Sequence, residues 1–367
     1  GTIPQFVKWA HGVGEKLIDS SIDTKSVISN VLIPEYANEL SDTAVLSIEW
    51  PNELLSQSED RVSIASAVGE FEIFNADIQC TSMDHIKRSI EFEVAGGEDR
   101  KTLGRFRMQV DGEEGYTVSL IDGIPPVLRI GTVETDLAAF FNDFPPLIRF
   151  VDLSELDGNI ILRSEDAGAV EVPAERLEVW DWNETDIKKE SIWKNGVQRT
   201  DSIQWKAAQS FIDGGYAVVF DDDDPEEAAD LVCIKEEEEQ IRLVLVHCKF
   251  SGGVDVGVRI ADVVEVSSQA VRSAKWPGKF KELVKHIQNR ERLRKRAGRT
   301  GYLAGSPHTM TTLLRLQRFK PVKPEVLIVQ PGVSKSKLTR DQSVVLGAAA
   351  AYLKQTLGID LDIACGI

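Results

Sequence analysis

The sequence predicts an α/β protein of two domains, and three observations support this fold class. The chain has 367 residues, more than one compact hydrophobic core usually accommodates. Short apolar segments separated by Gly, Asp and Asn dominate the first half, a pattern typical of β-strands. Beyond a charged stretch near residue 190, helical and strand patterns alternate, as they do in α/β domains. We therefore expect a β-rich (α+β) N-terminal domain over residues 1–185 and an α/β domain over residues 195–367.

The first domain is expected to contain many strands and few helices. The apolar stretch Leu137–Phe141, which ends shortly before Pro145, predicts one short helix. No sequence period recurs, so we expect neither a solenoid nor a propeller. No chemical motif assigns a role to this domain. The predicted strands are Val45–Trp50, Glu70–Phe74, Ser89–Val94, Phe106–Val110, Tyr116–Ile121, Val127–Ile130, Ile160–Arg163 and Val170–Val172.

The second domain is expected to begin with a helix that Ser202 caps and Gly214 ends. Three strands, a helix, a fourth strand and a closing helix follow. Their apolar residues run continuously, which predicts a sheet covered on both faces. The expected elements are the strands Tyr216–Phe220, Ala229–Ile234 and Ile241–Phe250, a mostly helical region over residues 258–275, the strand Glu325–Gln330 and the helix Val344–Leu357.

The net charge of −17 is distributed unevenly along the chain. Residues 1–271 hold 23 Lys/Arg and 53 Asp/Glu, whereas residues 272–367 hold 19 and 6. A dense basic cluster at residues 272–299 would attract phosphate through counterion release. Two alternatives are a solvated helix face and a surface that docks on the acidic half. For nucleic-acid binding, the sequence favours Arg272, Lys275, Lys279, Arg292, Arg294, Lys295 and Arg296.

Several protein classes are disfavoured by the sequence. No run of about 18 apolar residues is present, so no membrane span is expected. The first residues lack the basic and apolar regions of a secretory signal. Four scattered cysteines suit reduced thiols, and no P-loop motif is present. We therefore expect a cytoplasmic protein.

The most informative feature is a pair of short apolar strands with polar residues at their ends. Asp230 begins one strand, and His247-Cys248-Lys249 ends the next. Because side chains alternate along a strand, His247 and Lys249 share a face that Cys248 does not. Asp230 on the neighbouring strand can lie beside them. A carboxylate, a second ligand and an ammonium group are what phosphodiester hydrolysis with a divalent metal requires.

Each residue also has a simpler interpretation. Asp230 could cap a turn, and His247 could be a hydrogen-bonded core histidine. Lys249 could extend its ammonium group to water from a strand end. Gln204 could serve only as a helix cap, and the acidic run 221–224 could be a solvated turn or a weak cation site.

The order αβββαβ, with Asp230 and the His247–Lys249 segment, resembles the PD-(D/E)xK nuclease superfamily. The resemblance covers roughly residues 202–357. In that family an Asp begins the second strand, and an acidic residue two positions before a Lys ends the third. The resemblance implies a restriction-endonuclease-like core that hydrolyses DNA with Mg²⁺ or Mn²⁺.

The resemblance also implies roles for individual residues. Asp230 and His247 would bind the metal, and Lys249 would orient the attacking water and support the developing charge. Gln269 resembles a helix glutamine that some branches place against the site. Gln204 lies where many members carry a Glu.

His247 departs from the family pattern, which has Glu, Asp or Gln at this position. Mg²⁺ prefers oxygen ligands, whereas imidazole suits softer ions such as Mn²⁺. Either the site uses an altered ligand set, borrowing Asp221, Asp222, Asp223 or Glu227, or it has lost catalysis and kept the fold.

Short segments around Asp230 and His247 are also similar to parts of bacterial helicase-type proteins linked to defence against phage. This similarity implies a nuclease or nuclease subunit that binds DNA and a helicase or another defence protein. The alternative is a catalytically inactive module that binds nucleic acid or such a partner. The sequence does not indicate the oligomeric state.

Overall fold

The computed structural model describes most of the chain. The described residues are 2–22, 32–55, 62–73, 76–96, 101–164, 170–223, 227–251, 259–276 and 278–366. Up to residue 164, a segment that we call the N-terminal half, they form mainly β-structure. Its helices are α1 Ile3–Ile18, α2 Asn52–Leu55 and α3 Leu137–Asp143. Its strands are β1 Leu32–Tyr36, β2 Val45–Glu49, β3 Val62–Ser66, β4 Gly69–Glu72, β5 Ala76–Asp84, β6 Ser89–Gly96, β7 Lys101–Val110, β8 Tyr116–Asp122, β9 Val127–Ile130, β10 Val133–Asp136, β11 Leu147–Phe150, β12 Glu155–Asp157 and β13 Ile160–Ser164.

The strands of the N-terminal half form two antiparallel sheets. One has nine strands in the order β1-β13-β12-β11-β2-β5-β6-β7-β8, and the other has the order β10-β9-β3-β4. Alternate residues of β6 and β7 point into a shared core, where the rings of Phe92 and Phe106 both pack edge-on against Phe141 of α3. The N-terminal half is therefore rich in strands, as the sequence predicts.

Residues 170–366, which we call the C-terminal half, alternate helices and strands. The helices are α4 Ile203–Asp213, α5 Ile260–Arg272, α6 Phe280–Arg296, α7 Pro307–Leu316 and α8 Arg340–Leu357. The strands are β14 Leu177–Val179, β15 Trp193–Lys194, β16 Val197–Gln198, β17 Val218–Asp221, β18 Leu231–Glu236, β19 Ile241–Cys248, β20 Tyr302–Ala304, β21 Val322–Ser334 and β22 Leu361–Gly366.

One seven-stranded mixed sheet organises the C-terminal half, in the order β14-β22-β21-β19-β18-β17-β20. Strands β17, β18 and β19 are antiparallel neighbours, whereas β19, β21, β22 and β14 run parallel. Helices cover both faces because the strand residues are apolar on both. Val232 packs with Ile287 of α6 on one face, and Leu231 packs with Ala207 of α4 on the other. The mixed α/β class that the sequence predicts is confirmed.

The predicted helices and strands are present from α4 onward, but the structure has additional ones. Helices α6 and α7 and strand β20 lie between α5 and β21, and β22 follows the helix that was expected to close the chain. The segment Val170–Val172 is not a strand. Instead, the Val172 amide donates to the Ser343 carbonyl, and Gly347 of α8 approaches the Val170 carbonyl so closely that a Cβ would overlap it.

The two halves share buried contacts. Leu46 and Val151 of the N-terminal half lie in the same apolar cluster as residues of α5 and α8. Lys275 forms an ion pair with Asp77 at 3.0 Å. Strand β14, which precedes the predicted boundary at residue 185, belongs to the C-terminal sheet. None of the described helices has the length and apolar character needed to cross a bilayer.

Candidate functional site

Asp230 lies at the end of the C-terminal sheet, directly before β18. Its side chain is buried, and both carboxylate oxygens are engaged. Oδ1 accepts a hydrogen bond from Gln204 Nε2 at 2.7 Å, and Oδ2 accepts one from the Cys248 amide at 2.8 Å. Burial, together with the charge of Asp223, raises the pKa of Asp230 well above its ordinary value. Asp230 is therefore fixed in position and crowded by negative charge.

Two further acidic residues lie close to Asp230. One carboxylate oxygen from each of Asp223, Glu227 and Asp230 lies within 4.8 Å of the others. Burial first, and then the charges of Asp230 and Asp223, raise the pKa of Glu227 well above its ordinary value. Carboxylate oxygens are the ligands that Mg²⁺ and Mn²⁺ prefer. We call these three residues the acidic trio; among the residues described, they form the set whose chemistry fits a divalent cation.

Lys249 directly follows Cys248, whose amide binds Asp230, at the end of β19, and it is only 8% exposed. Its Nζ lies 2.8 Å from Glu265 Oε1 of α5 and 3.4 Å from Glu190 Oε2. Burial opposes the charge on Lys249, but the hydrogen bond that its Nζ donates to Glu265 and the charge of Glu190 raise its pKa overall. Lys249 is therefore a held cation and not a side chain extended into water.

Glu190 is a site residue that sequence reasoning missed. It lies in the charged stretch that was interpreted as a domain boundary, and no motif distinguishes it from its neighbours. Its Oε2 accepts a hydrogen bond from the Phe250 amide at 2.9 Å, and burial raises its pKa. Because its charge acts on both Lys249 and Asp230, Glu190 connects the two predicted site residues.

His247 does not join the carboxylates as a ligand. The only set of three or more candidate ligand atoms that approach within 4.8 Å among the described residues is the acidic trio, so the prediction of His247 as a metal ligand is not supported. The imidazole is 2% exposed, and neither ring nitrogen has a hydrogen-bond partner in the described part of the chain. Burial, together with the nearby Arg272, lowers its pKa to about 3. His247 is therefore a neutral buried side chain, and not the hydrogen-bonded core histidine considered from the sequence.

Asp222 is a structural anchor that lies outside the acidic trio, so its predicted role as a metal ligand is not supported. Its Oδ2 lies 2.8 Å from His286 Nε2 and accepts from the Ala228 amide at 2.8 Å. Its Oδ1 accepts from Arg290 Nε at 3.1 Å. Although complete burial opposes ionisation, His286 and Arg290 hold its pKa below the ordinary value. Asp222 thus binds the acidic end of β17 to helix α6.

The two glutamines have different surroundings. Gln204 is fully buried, donates to Asp230 and accepts from the Ile192 amide at 3.0 Å, so it positions Asp230. Ser202, and not Gln204, caps α4 by accepting from the Trp205 amide. Gln269 lies on α5, and its buried Oε1 has no hydrogen-bond partner among the described residues.

Arg272 lies one turn beyond Gln269 on α5, and its charge acts on both Glu227 and His247. Because residues three and four apart share a helix face, Glu265, Gln269 and Arg272 lie along one side of α5. This side faces the end of β19, since Glu265 contacts Lys249. Arg272 is therefore the predicted nucleic-acid-binding cation that lies beside the acidic trio.

The other predicted nucleic-acid-binding cations occupy three kinds of position. Arg294 is buried and donates to the backbone carbonyls of Asp221 and Asp223, so its predicted contact with nucleic acid is not supported. Lys275 is paired with Asp77, and Lys279 is half-buried, which lowers its pKa. The remaining three, Arg292, Lys295 and Arg296, have exposed side chains on α6.

No protein-family model, no curated protein and no solved structure matches this chain.

Proposed function

We propose that the C-terminal half hydrolyses phosphodiester bonds of DNA with Mg²⁺ or Mn²⁺ bound by the acidic trio. The observation that carries this proposal is the convergence of three carboxylates within 4.8 Å at the strand end that also carries Lys249. Lys249 is itself held by two acidic residues. The order α4-β17-β18-β19-α5-β21, with antiparallel strands followed by a parallel one, supports a restriction-endonuclease-like core.

The residues have separable tasks in this proposal. Asp223, Glu227 and Asp230 would hold the cation, and the hydrogen bonds from Gln204 and the Cys248 amide keep Asp230 oriented. A bound divalent cation lowers the pKa of a water ligand and polarises a phosphate oxygen. This ligand set differs from the one expected from the sequence, because it includes Glu227 and leaves out His247 and Asp222.

Two cations would act on the phosphate itself. Lys249 supplies a fixed positive charge, whose position Glu190 and Glu265 determine. Arg272, whose charge acts on Glu227, would bind a non-bridging phosphate oxygen through its guanidinium group. Charge fixed in advance at the reacting phosphate stabilises the transition state more than mobile charge does.

A second candidate is a nuclease-fold module that binds nucleic acid or a helicase partner without cleaving DNA. One observation favours it: a neutral histidine lies where the family pattern has an acidic residue or a glutamine. A role in bacterial defence against phage belongs to either candidate and rests on the sequence resemblance.

A cleavage assay distinguishes the two candidates. Linear, circular and single-stranded DNA are incubated with the protein in Mg²⁺ or in Mn²⁺, alongside Asp230→Ala and Lys249→Ala. We expect cleavage that falls at least about a hundredfold in both variants, while the exposed control Asp213→Asn remains active. Binding of Mn²⁺, followed by calorimetry, should be lost in Asp230→Ala and retained in Lys249→Ala. DNA binding without cleavage in either metal would overturn the nuclease proposal and support the second candidate, the nuclease-fold module that does not cleave DNA.

A further inference from the structure

Helix α6 carries cations on two opposite faces. At about 100° per residue, His286, Arg290 and Arg294 lie on one face, and all three contact the acidic end of β17. The opposite face is exposed and spans about 100° of arc. We call it the outer face of α6; its cations are Lys281, Lys285, Arg292, Lys295 and Arg296.

The inner face accounts for the buried part of the basic cluster. Arg290 and Arg294 are each 5% exposed and engaged with Asp222, Asp221 and Asp223. Glu291 is also buried and accepts from the Gly301 amide at 2.9 Å. These contacts hold α6 against the sheet, so the outer face has a fixed orientation.

The ion pairs described for the outer-face cations do not involve the acidic N-terminal half. Lys275 of the basic cluster forms an ion pair with Asp77 of that half, and Lys275 lies before α6. On the outer face, Lys295 pairs with Glu291 of its own helix, and Arg292 donates to Asn289. Glu282 is the acidic residue at the edge of this face. The intramolecular docking considered from the sequence therefore does not explain these charges.

We propose that the outer face of α6 is a docking surface for the phosphate backbone of a nucleic acid. The choice of this occupant rests on the proposed function, whose substrate is DNA. From Lys281 to Arg296 the face extends about 22 Å. A DNA duplex presents a negative charge about every 1.7 Å along its axis, so five cations can each find a phosphate.

An anionic membrane is the competing polyanion, and the helix does not suit it. A helix that lies on a bilayer needs an apolar face beside its basic one. The apolar residues of α6, such as Leu283, Val284 and Ile287, are fully buried in the protein core. The outer face offers charge without an apolar surface to insert.

The test measures binding separately from cleavage. A fluorescent 30-base-pair duplex and its single strand are titrated with the full chain in EDTA, from 50 to 200 mM NaCl. The triple variant Lys281→Gln, Lys285→Gln, Arg292→Gln should weaken duplex binding more than tenfold at low salt. Its logarithmic salt slope should become shallower by about 2.7. The control triple Lys87→Gln, Lys101→Gln, Lys194→Gln changes net charge equally on exposed residues outside α6, and it should bind like the wild type.

Each outcome has a defined meaning. Equal losses in both triple variants would show that only net charge matters, and an unchanged salt slope in the α6 variant would also overturn the proposal. Binding to vesicles containing phosphatidylserine, lost in the α6 variant while DNA binding persists, would overturn it in favour of a lipid surface. Asp230→Asn should bind the duplex normally. Loss of cleavage in Asp230→Asn would test the candidate metal site, whereas loss of duplex binding in the α6 variant tests the docking surface. The two proposals can therefore fail separately.

Discussion

Three carboxylates of the candidate site lie close enough to repel one another before any cation binds. The raised pKa values of Glu227 and Asp230 show that the folded protein favours their protonated forms. Asp230 accepts two hydrogen bonds, which fix it in spite of this repulsion. Glu227 has no such bonds among the described residues and is the residue whose charge can be removed at the lowest structural cost.

We expect Glu227→Gln to stabilise the protein in EDTA at pH 7.5 and to weaken Mn²⁺ binding. Because the folded-state pKa of Glu227 is raised, the folded protein holds a proton that the unfolded chain releases. Wild-type stability therefore falls as pH rises above the ordinary carboxyl pKa, until the raised pKa is passed. Glu227→Gln should lose less stability than the wild type over this pH range. It should therefore melt about 2 °C higher than the wild type at pH 7.5.

Thermal melting at pH 5 and pH 7.5, with and without Mn²⁺, checks this prediction. The exposed control Glu238→Gln should change neither the melting temperature nor the effect of Mn²⁺. If Glu227→Gln melts lower than the wild type at pH 7.5 in EDTA, repulsion among the three carboxylates does not destabilise the folded protein and the prediction is wrong.

His247 should make the protein sensitive to acid. Its folded-state pKa of about 3 lies below the ordinary value of 6.5, so the unfolded chain binds this proton more readily between these values. Stability is therefore fully present above about pH 6.5 and is lost as pH falls toward 3. Between pH 7 and pH 5, the free energy of unfolding of His247→Leu should fall by about 2 kcal/mol less than that of the wild type.

Urea denaturation at several pH values measures this effect. The exposed substitution His308→Leu serves as the control and should leave the pH profile of the wild type unchanged. If His247→Leu and the wild type lose stability in parallel, His247 becomes protonated in the folded state and the prediction is wrong.

At the scale of single elements, α6 is the helix that holds the acidic end of β17. We expect Arg290→Met to reduce the free energy of unfolding by about 3 kcal/mol, because Asp222 then keeps its burial but loses an opposite charge. The control is Arg292→Met, because Arg292 lies two residues further along the same helix on its exposed face. It should change the stability by less than about 0.5 kcal/mol. Urea unfolding of both variants gives the comparison, and equal effects would contradict the two-faced description of α6.

The sequence predicts elements with strong apolar patterns and misses those that depend on tertiary context. Strands β18 and β19 could be predicted because their residues are continuously apolar. Helix α6 is strongly polar, since cations occupy both of its faces, and was assigned only as a basic, irregular or helical region. Strand β22 is short and follows a long helix, so it has meaning only once β21 and β14 flank it.

The same distinction applies to the site. Asp230 and Lys249 could be predicted because strand alternation and register place them at one sheet end. The structure does not support the predicted roles of Asp222 and Arg294, because both are engaged between β17 and α6, and composition cannot indicate which face of α6 is buried. Glu190 could not be predicted, since it reaches Lys249 from outside the sheet.

At the scale of the whole molecule, the C-terminal sheet depends on segments that precede it. Strand β14 pairs with β22, and the Trp180 amide and Trp182 Nε1 both donate to the Cys365 carbonyl at 3.0 Å. Glu190 and the amide of Ile192 contact the site residues Lys249 and Gln204. A domain taken from residue 195 would therefore lack an edge strand and part of the candidate site.

We expect the fragment 195–367 to lack cooperative unfolding and Mn²⁺ binding. The fragment 170–367 restores β14, the contact of Val172 with α8, and Glu190. It should fold and bind Mn²⁺, but with lower stability than the whole chain, because Leu46 and Val151 no longer cover the cluster formed with α5 and α8. Loss of two buried aliphatic side chains costs about 4 kcal/mol or more. Circular dichroism during urea denaturation, with calorimetry in Mn²⁺, compares the two fragments with the whole chain. A cooperative transition of 195–367 at the same urea midpoint as the whole chain would show that the N-terminal half and the segment 170–194 add nothing to the stability of the sheet.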